Sequence, residues 1–137
     1  MTETEALQAA LAGEHAALYG VGVAGGRLKI GARFRAATTL YEQHRKRRDQ
    51  LAGFLVDAGE TPVAAAAAYD LPQAVTSAAT ATALVLLIER RLTTVYGDLV
   101  EATEQDPVRT FAIQALIACS QAQLSWGASP AAFPGNA

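Results

Sequence analysis

The sequence has a single cysteine, few aromatic side chains and no strong excess of charge of either sign. Only one of its 137 residues is a cysteine, 7% are aromatic, and the formal net charge at pH 7 is -2. Cys119 therefore has no partner for a disulfide bond within the chain. The charge balance gives no support for general binding of nucleic acid, and we expect no such partner.

Long apolar runs are also missing. The longest one, residues 78–88, reads "AATATALVLLI" and is well short of the roughly 20 residues needed to cross a bilayer. The N-terminus lacks the basic segment and apolar run of a secretory signal. We therefore expect a cytoplasmic protein with no membrane partner. With 51% hydrophobic residues, the chain is long enough for one core, which predicts a single domain over residues 1–137.

No segment shows the sustained alternation of apolar and polar residues that marks a half-buried strand, whereas the helical period of 3.6 residues recurs throughout. The fold class predicted is therefore all-α. Four helices are expected: from Thr2 to the glycines at 25–26, over about 31–58, from about 76–77 to just before Asp106, and from Asp106 to about Trp126. Asp106 is predicted as an N-cap, and residues 127–137 as an irregular tail.

The lengths of the links constrain the topology. The first and second helices, and likewise the third and fourth, are joined by a few residues and should form antiparallel hairpins. The second helix is about 42 Å long. The link after it can span about 56 Å when extended. This link can cross the whole bundle, so the second and third helices are predicted to run parallel, with one long crossover between them.

Polar residues interrupt the apolar seams of the helices at similar depths. In the second helix, one set steps by three and four residues: Phe34, Ala37, Tyr41, His44, Arg48, Leu51, Leu55 and Ala58. The first seam contains Glu14, the third contains Glu89 and Tyr96, and the fourth contains Cys119. Because Glu14, His44, Glu89 and Cys119 each lie about a dozen residues into their helices, two carboxylates and an imidazole should meet in the core.

Four short motifs carry a resemblance to a known superfamily: "EHAALYG", "HRKRRDQL", "AAYDLP" and "FPG". With the long central link and the mid-helix Glu, His and Glu, the chain resembles the ferritin-like superfamily. It is more closely similar to a family of small, uncharacterised ferritin-like bundle proteins from bacteria with GC-rich genomes. The resemblance covers nearly the whole chain and implies a ferritin-like four-helix bundle, but it brings no established reaction.

The sequence departs from the di-iron pattern of that superfamily. The pattern needs single glutamates on two helices and a Glu-x-x-His pair on each of the other two. Glu14 and Glu89 match the single glutamates, but Tyr41 stands where the partner of His44 should be. From Val108 onward there is no Asp, Glu or His. We therefore expect a degenerate di-iron site and a protein that is not an enzyme.

Two interpretations of the core residues stay open. In one, Glu14, His44 and Glu89 bind a single Zn, Fe or Mn ion, with Cys119 as a further candidate ligand. In the other, which we favour, no cofactor is bound and the residues form a buried polar network. Its predicted members are Glu14, Tyr41, His44, Arg48, Glu89 and Tyr96, with Arg45 as the alternative cation.

Basic residues are concentrated in one part of the chain. Eight of the eleven cationic side chains lie between Arg27 and Arg48. This density suggests an anion-binding surface along the second helix, but a solvated face balanced by neighbouring acidic residues is the simpler interpretation. The high apolar content of such a small bundle predicts a homodimer packed along helix faces.

Overall fold

The computed structural model describes residues 1–133, and in that part of the chain it contains four α-helices and no strand. They are α1 (Glu3–Gly25), α2 (Ala32–Asp57), α3 (Ala78–Ala102) and α4 (Asp106–Ser125). The predicted all-α four-helix bundle is confirmed. None of the helices in the described part combines the length and hydrophobicity needed to cross a membrane. Residues 127–133 are irregular, as predicted, and the rest of the predicted tail lies outside the described residues.

Local sequence signals explain where α1 and α3 begin. Thr2 caps α1, because its hydroxyl accepts from the Glu5 N–H at 3.1 Å while the Glu5 carboxylate accepts from the Thr2 N–H at 2.7 Å. Ser77 and Thr80 form the same reciprocal arrangement at the start of α3. Each pair satisfies main-chain donors that a helix leaves open in its first turn.

The start of α4 differs by one residue from the prediction. Asp106 is the first helical residue and Gln105 is the N-cap, which makes no side-chain capping bond. Pro107 still lies in the first turn, where its missing N–H leaves no hydrogen bond unmade.

Two core clusters establish the directions of the helices. The first gathers the start of α1, the end of α2, the end of α3 and the start of α4. Its larger members are Leu7, Leu11, Leu51, Leu55, Tyr96, Leu99 and Phe111. The second gathers the opposite ends and includes Val21, Leu40, Val85 and Trp126. α2 and α3 therefore run parallel, and the link over residues 58–77 is the predicted long crossover.

The crossover is attached to α1. Gln8 holds it at two points, because its Nε2 donates to the Thr61 carbonyl and its Oε1 accepts from the Val63 N–H, both at 2.8 Å. Two turns further along α1, His15 Nε2 donates to the Val63 carbonyl at 2.9 Å. The crossover thus lies along α1, and His15 binds the crossover rather than a residue of the core.

The buried face of α2 is rotated relative to the predicted seam. Its buried residues are Ala37, Leu40, His44, Arg47, Leu51 and Leu55. Phe34 and Tyr41, which were predicted to face inward, are 39% and 37% exposed. Steps of three and four residues lead from Ala37 to Leu51 either through Leu40 or through Tyr41. In the structure Leu40, the aliphatic residue, is the one buried in the core. His44 belongs to both paths.

Candidate functional site

Glu14, His44 and Glu89 lie on three different helices, and each is completely buried. Their side chains meet directly. His44 Nδ1 lies 2.6 Å from Glu14 Oε2, and His44 Nε2 lies 2.6 Å from Glu89 Oε1. The imidazole of α2 therefore bridges a carboxylate from α1 and a carboxylate from α3, one at each ring nitrogen.

This geometry favours a doubly protonated His44. Between two ionised carboxylates, a neutral imidazole with its one N–H would bring two lone pairs together at one of the two short contacts. An imidazolium donates from both nitrogens, and charge-assisted hydrogen bonds of this kind are short. Burial alone would lower the pKa of His44, but its hydrogen bonds to Glu14 and Glu89 and their negative charges outweigh it and raise the pKa to about 9.

Arg47 and Tyr96 complete the surroundings of Glu14. The Arg47 Nε donates to Glu14 Oε1 at 3.1 Å, and the Tyr96 hydroxyl donates to the same oxygen at 2.5 Å. Burial would raise the pKa of Glu14, but its bond to His44 and the charges of His44 and Arg47 lower it below the usual range. Burial first, and then the charge of Glu14, raise the pKa of Tyr96 well above 10.0.

The charges of this network balance. Glu14 and Glu89 contribute two negative charges, and His44 and Arg47 contribute two positive ones. Isolated buried charges are very unfavourable, so a core that contains four of them needs this compensation. We call these four residues and Tyr96 the buried network.

Glu89 is less completely satisfied than Glu14. Its Oε2 is buried and has no hydrogen-bond partner within residues 1–133. Cys119 of α4 is also completely buried. Burial raises the pKa of its thiol well above 9.0, and the charge of Glu89 raises it further. Cys119 is therefore a buried, protonated thiol close to Glu89, not a thiolate.

The structure brings together four of the residues predicted for the polar network: Glu14, His44, Glu89 and Tyr96. The prediction for Arg48 is wrong, because its Nη2 lies 2.8 Å from Asp49 on the surface. Arg47 is the buried cation instead.

The other two predicted members also lie outside the network. Tyr41 is on the exposed side of α2 and makes no hydrogen bond with the network. Arg45, the alternative cation, is 55% exposed and lies 3.6 Å from Glu42. The exposure of Tyr41 and of Arg45 has the same cause: the buried face of α2 is rotated relative to the predicted seam, so these two positions face solvent.

Comparisons with known proteins agree with this architecture. A family model described as a domain of unknown function, DUF4439, matches residues 6–137. The chain belongs to the DUF4439 family. Its fold is similar to the crystal structure of a conserved hypothetical protein from Mycobacterium tuberculosis, with 38% sequence identity, a TM-score of 0.87 and 96% of each chain covered. A comparison with curated proteins found no match.

The arrangement in this DUF4439 domain does not fit a metal ion. The carboxylates lie at opposite nitrogens of one ring, so the donor atoms of the network do not converge on one point. At 2.6 Å, each N···O separation is a hydrogen-bond length. An ion between them would need about 2 Å to each atom. Within residues 1–133, no group of three or more His, Cys, Asp or Glu side chains has a metal-binding arrangement.

Proposed function

We propose that this DUF4439 protein is a non-catalytic, ferritin-like bundle in which the buried network replaces a metal centre, and that it acts by binding another molecule. The observation that carries the proposal is the His44 imidazole, which contacts Glu14 and Glu89 at its two nitrogens. The parallel α2 and α3 and the mid-helix carboxylates on α1 and α3 support the ferritin-like part.

The network also suggests what a charged core contributes to such a protein. It connects α1, α2 and α3 at one level through the hydrogen bonds of His44 with Glu14 and Glu89, and sliding one helix by a turn would break them. Desolvation of buried ions offsets much of their attraction, and replacing a whole buried ionic set with apolar residues is often neutral for stability. We infer that the network specifies the alignment of the three helices.

The proposal is tested by removing metal ions. Protein purified without chelators is expected to contain no stoichiometric Zn, Fe or Mn by elemental analysis. EDTA is expected to leave the urea midpoint unchanged, because hydrogen bonds and ion pairs hold the core together. In the alternative, a mononuclear centre at Glu14, His44 and Glu89, EDTA would lower the midpoint. Stoichiometric metal that is lost on His44→Ala without unfolding would overturn the proposal.

A homodimer is a further part of the proposed function. Ile113, Ile117 and Leu124 of α4 are 40%, 50% and 48% exposed. Their spacing places them on one side of the helix, where they form an apolar stripe. We propose that this stripe packs against a second copy of the chain.

The dimer is checked by light scattering at micromolar concentration. The wild-type protein is expected to have the mass of a dimer, and Ile117→Glu the mass of a monomer, because a carboxylate would be buried in the interface. Val56→Glu is the matched control, since Val56 is 60% exposed and belongs to α2 rather than α4. A monomeric wild-type protein would contradict this arrangement.

A further inference from the structure

A groove between α2 and α4 leads from the surface to the buried network. The helix pairs in close contact are α1 with α2, α1 with α3 and α3 with α4. Between α2 and α4 lies an opening of about 310 Å³. The polar residues that line it are Gln43, Lys46, Arg47, Gln50 and Gln114, and Phe111 supplies an apolar surface.

Arg47 has hydrogen-bond donors that the network does not use. Its side chain is only 11% exposed, and its Nε donates to Glu14. Its Nη2 lies 3.2 Å from His44 Nδ1. That nitrogen carries a proton in the imidazolium and donates to Glu14, so it cannot accept from Arg47. Within residues 1–133, Nη1 of Arg47 makes no hydrogen bond and Nη2 contacts only His44, so N–H donors of both terminal nitrogens remain for a ligand.

The groove carries a net positive charge. The four ions of the buried network cancel, which leaves the charge of Lys46 uncompensated. Lys46 is exposed and forms no ion pair within residues 1–133, and none of the residues lining the groove is acidic. The side-chain amides of Gln43, Gln50 and Gln114 add hydrogen-bond donors around it. A buried guanidinium, a flexible ammonium and amides at one opening are the groups that recognise an oxyanion.

We propose that the groove between α2 and α4 binds a small oxyanion, a molecule with a carboxylate or phosphate group. The terminal nitrogens of Arg47 donate to its oxygens, Lys46 compensates its charge, and the amide of Gln114 closes the site from α4. The volume matches the lower end of small-molecule sites, so the ligand is a small molecule rather than a polymer. The proposal supplies a ligand class for the binding role proposed above.

The experiment is a titration of the full chain with inorganic phosphate and, separately, with acetate, followed by NMR at constant ionic strength. Saturable shifts of the Arg47 and Gln114 side-chain N–H signals with either anion support the proposal, and the tighter anion identifies the group recognised. If neither anion produces saturable shifts at these residues, the proposal is wrong. Metal content and the effect of EDTA are measured separately, so failure here is distinguishable from failure of the proposed metal-free core.

Two matched pairs of variants test the location of the site. Lys46→Gln is expected to weaken binding about tenfold, because a charged hydrogen-bond partner is lost. Lys29→Gln removes the same charge from the exposed link between α1 and α2, and it is expected to leave binding unchanged. The side chains changed in this pair and in the second pair are all exposed: Lys46, Lys29, Gln114 and Gln121. The bundle should therefore fold in every variant.

The second pair acts from α4. Gln114→Glu places a negative charge in the groove and is expected to weaken binding at least tenfold, whereas Gln121→Glu, outside the groove, should have little effect. Equal weakening by Lys46→Gln and Lys29→Gln would show attraction by overall charge and overturn the proposed site. Equal weakening by the two glutamate variants would overturn it in the same way.

Discussion

Replacement of Arg47 with methionine is expected to lower the free energy of unfolding by about 3 kcal/mol, whereas the same replacement of Arg48 should cost less than about 0.5 kcal/mol. Arg47 compensates Glu14 in the core, and without it two buried carboxylates share the single positive charge of His44. Arg48 pairs with Asp49 at the surface, where ion pairs contribute little. Urea denaturation of the two variants measures the difference.

A second substitution should restore much of the lost stability. In Arg47→Met combined with Glu14→Gln, the remaining charges are Glu89 and His44, which balance. The amide oxygen at position 14 still accepts a hydrogen bond, so the double variant should be clearly more stable than Arg47→Met alone. If Arg48→Met is the more damaging single change, or if Glu14→Gln deepens the loss, the charge balance of the buried network is not what stabilises the core.

The contrast between Arg47 and Arg48 shows where the sequence pattern was ambiguous. His44 and Leu51 were placed correctly because both paths of three- and four-residue steps contain them. Leu40 and Tyr41, and likewise Arg47 and Arg48, are adjacent pairs in which either member fits the steps. The aliphatic character of Leu40 was a signal for the correct path, since aliphatic side chains are buried more often than tyrosine. Arg47 lies seven residues, or two turns, after Leu40 and so on the same face of the helix.

The topology was easier to predict than the contacts of the crossover. The short links and the reach of the long one are set by chain geometry, and they gave the parallel arrangement of α2 and α3. The attachment of the crossover depends on main-chain groups of Thr61 and Val63, which bind Gln8 and His15. Hydrogen bonds to the main chain of an irregular segment leave no periodic pattern in the sequence.

The bridging position of His44 could not be read from the sequence either. Helix seams indicated that Glu14, His44 and Glu89 meet at one depth. The same three residues can either bind a metal ion or form hydrogen bonds around a protonated imidazole. The choice depends on where the atoms lie to within about 1 Å. In the structure, the two carboxylates contact opposite sides of the ring, and this favours the doubly protonated imidazole.

The proton on His44 predicts that stability falls as the pH rises above about 6.5. In the unfolded chain the pKa of His44 is near 6.5, whereas in the folded protein it is about 9. Between these values the folded state holds a proton that the unfolded state has lost, so the free energy of unfolding decreases with pH. This stabilisation is complete below the unfolded pKa. It amounts to about 3 kcal/mol and is lost as the pH rises through the folded value.

The other titratable groups around His44 affect stability outside the range from about pH 6.5 to 8.5. The pKa of Glu14 is lowered, so its contribution is lost only as the pH falls into the acidic range. The raised pKa of Cys119 reduces stability only above about pH 8.5, where the unfolded thiol ionises, and Tyr96 acts at still higher pH. Among the residues of the buried network and Cys119, only His44 therefore accounts for a decrease in the free energy of unfolding between about pH 6.5 and 8.5.

Urea denaturation at about pH 6.5, 7.5 and 8.5 should show this decrease in the wild-type protein, and His44→Gln should remove most of it because an amide does not titrate. The ring can also be followed directly. In His15→Gln, His44 is the single remaining histidine, and its NMR signals should show an imidazolium up to a pH of about 9. A ring that loses its proton near pH 6.5 would mean that only one carboxylate accepts from it, and the bridging arrangement would then be wrong.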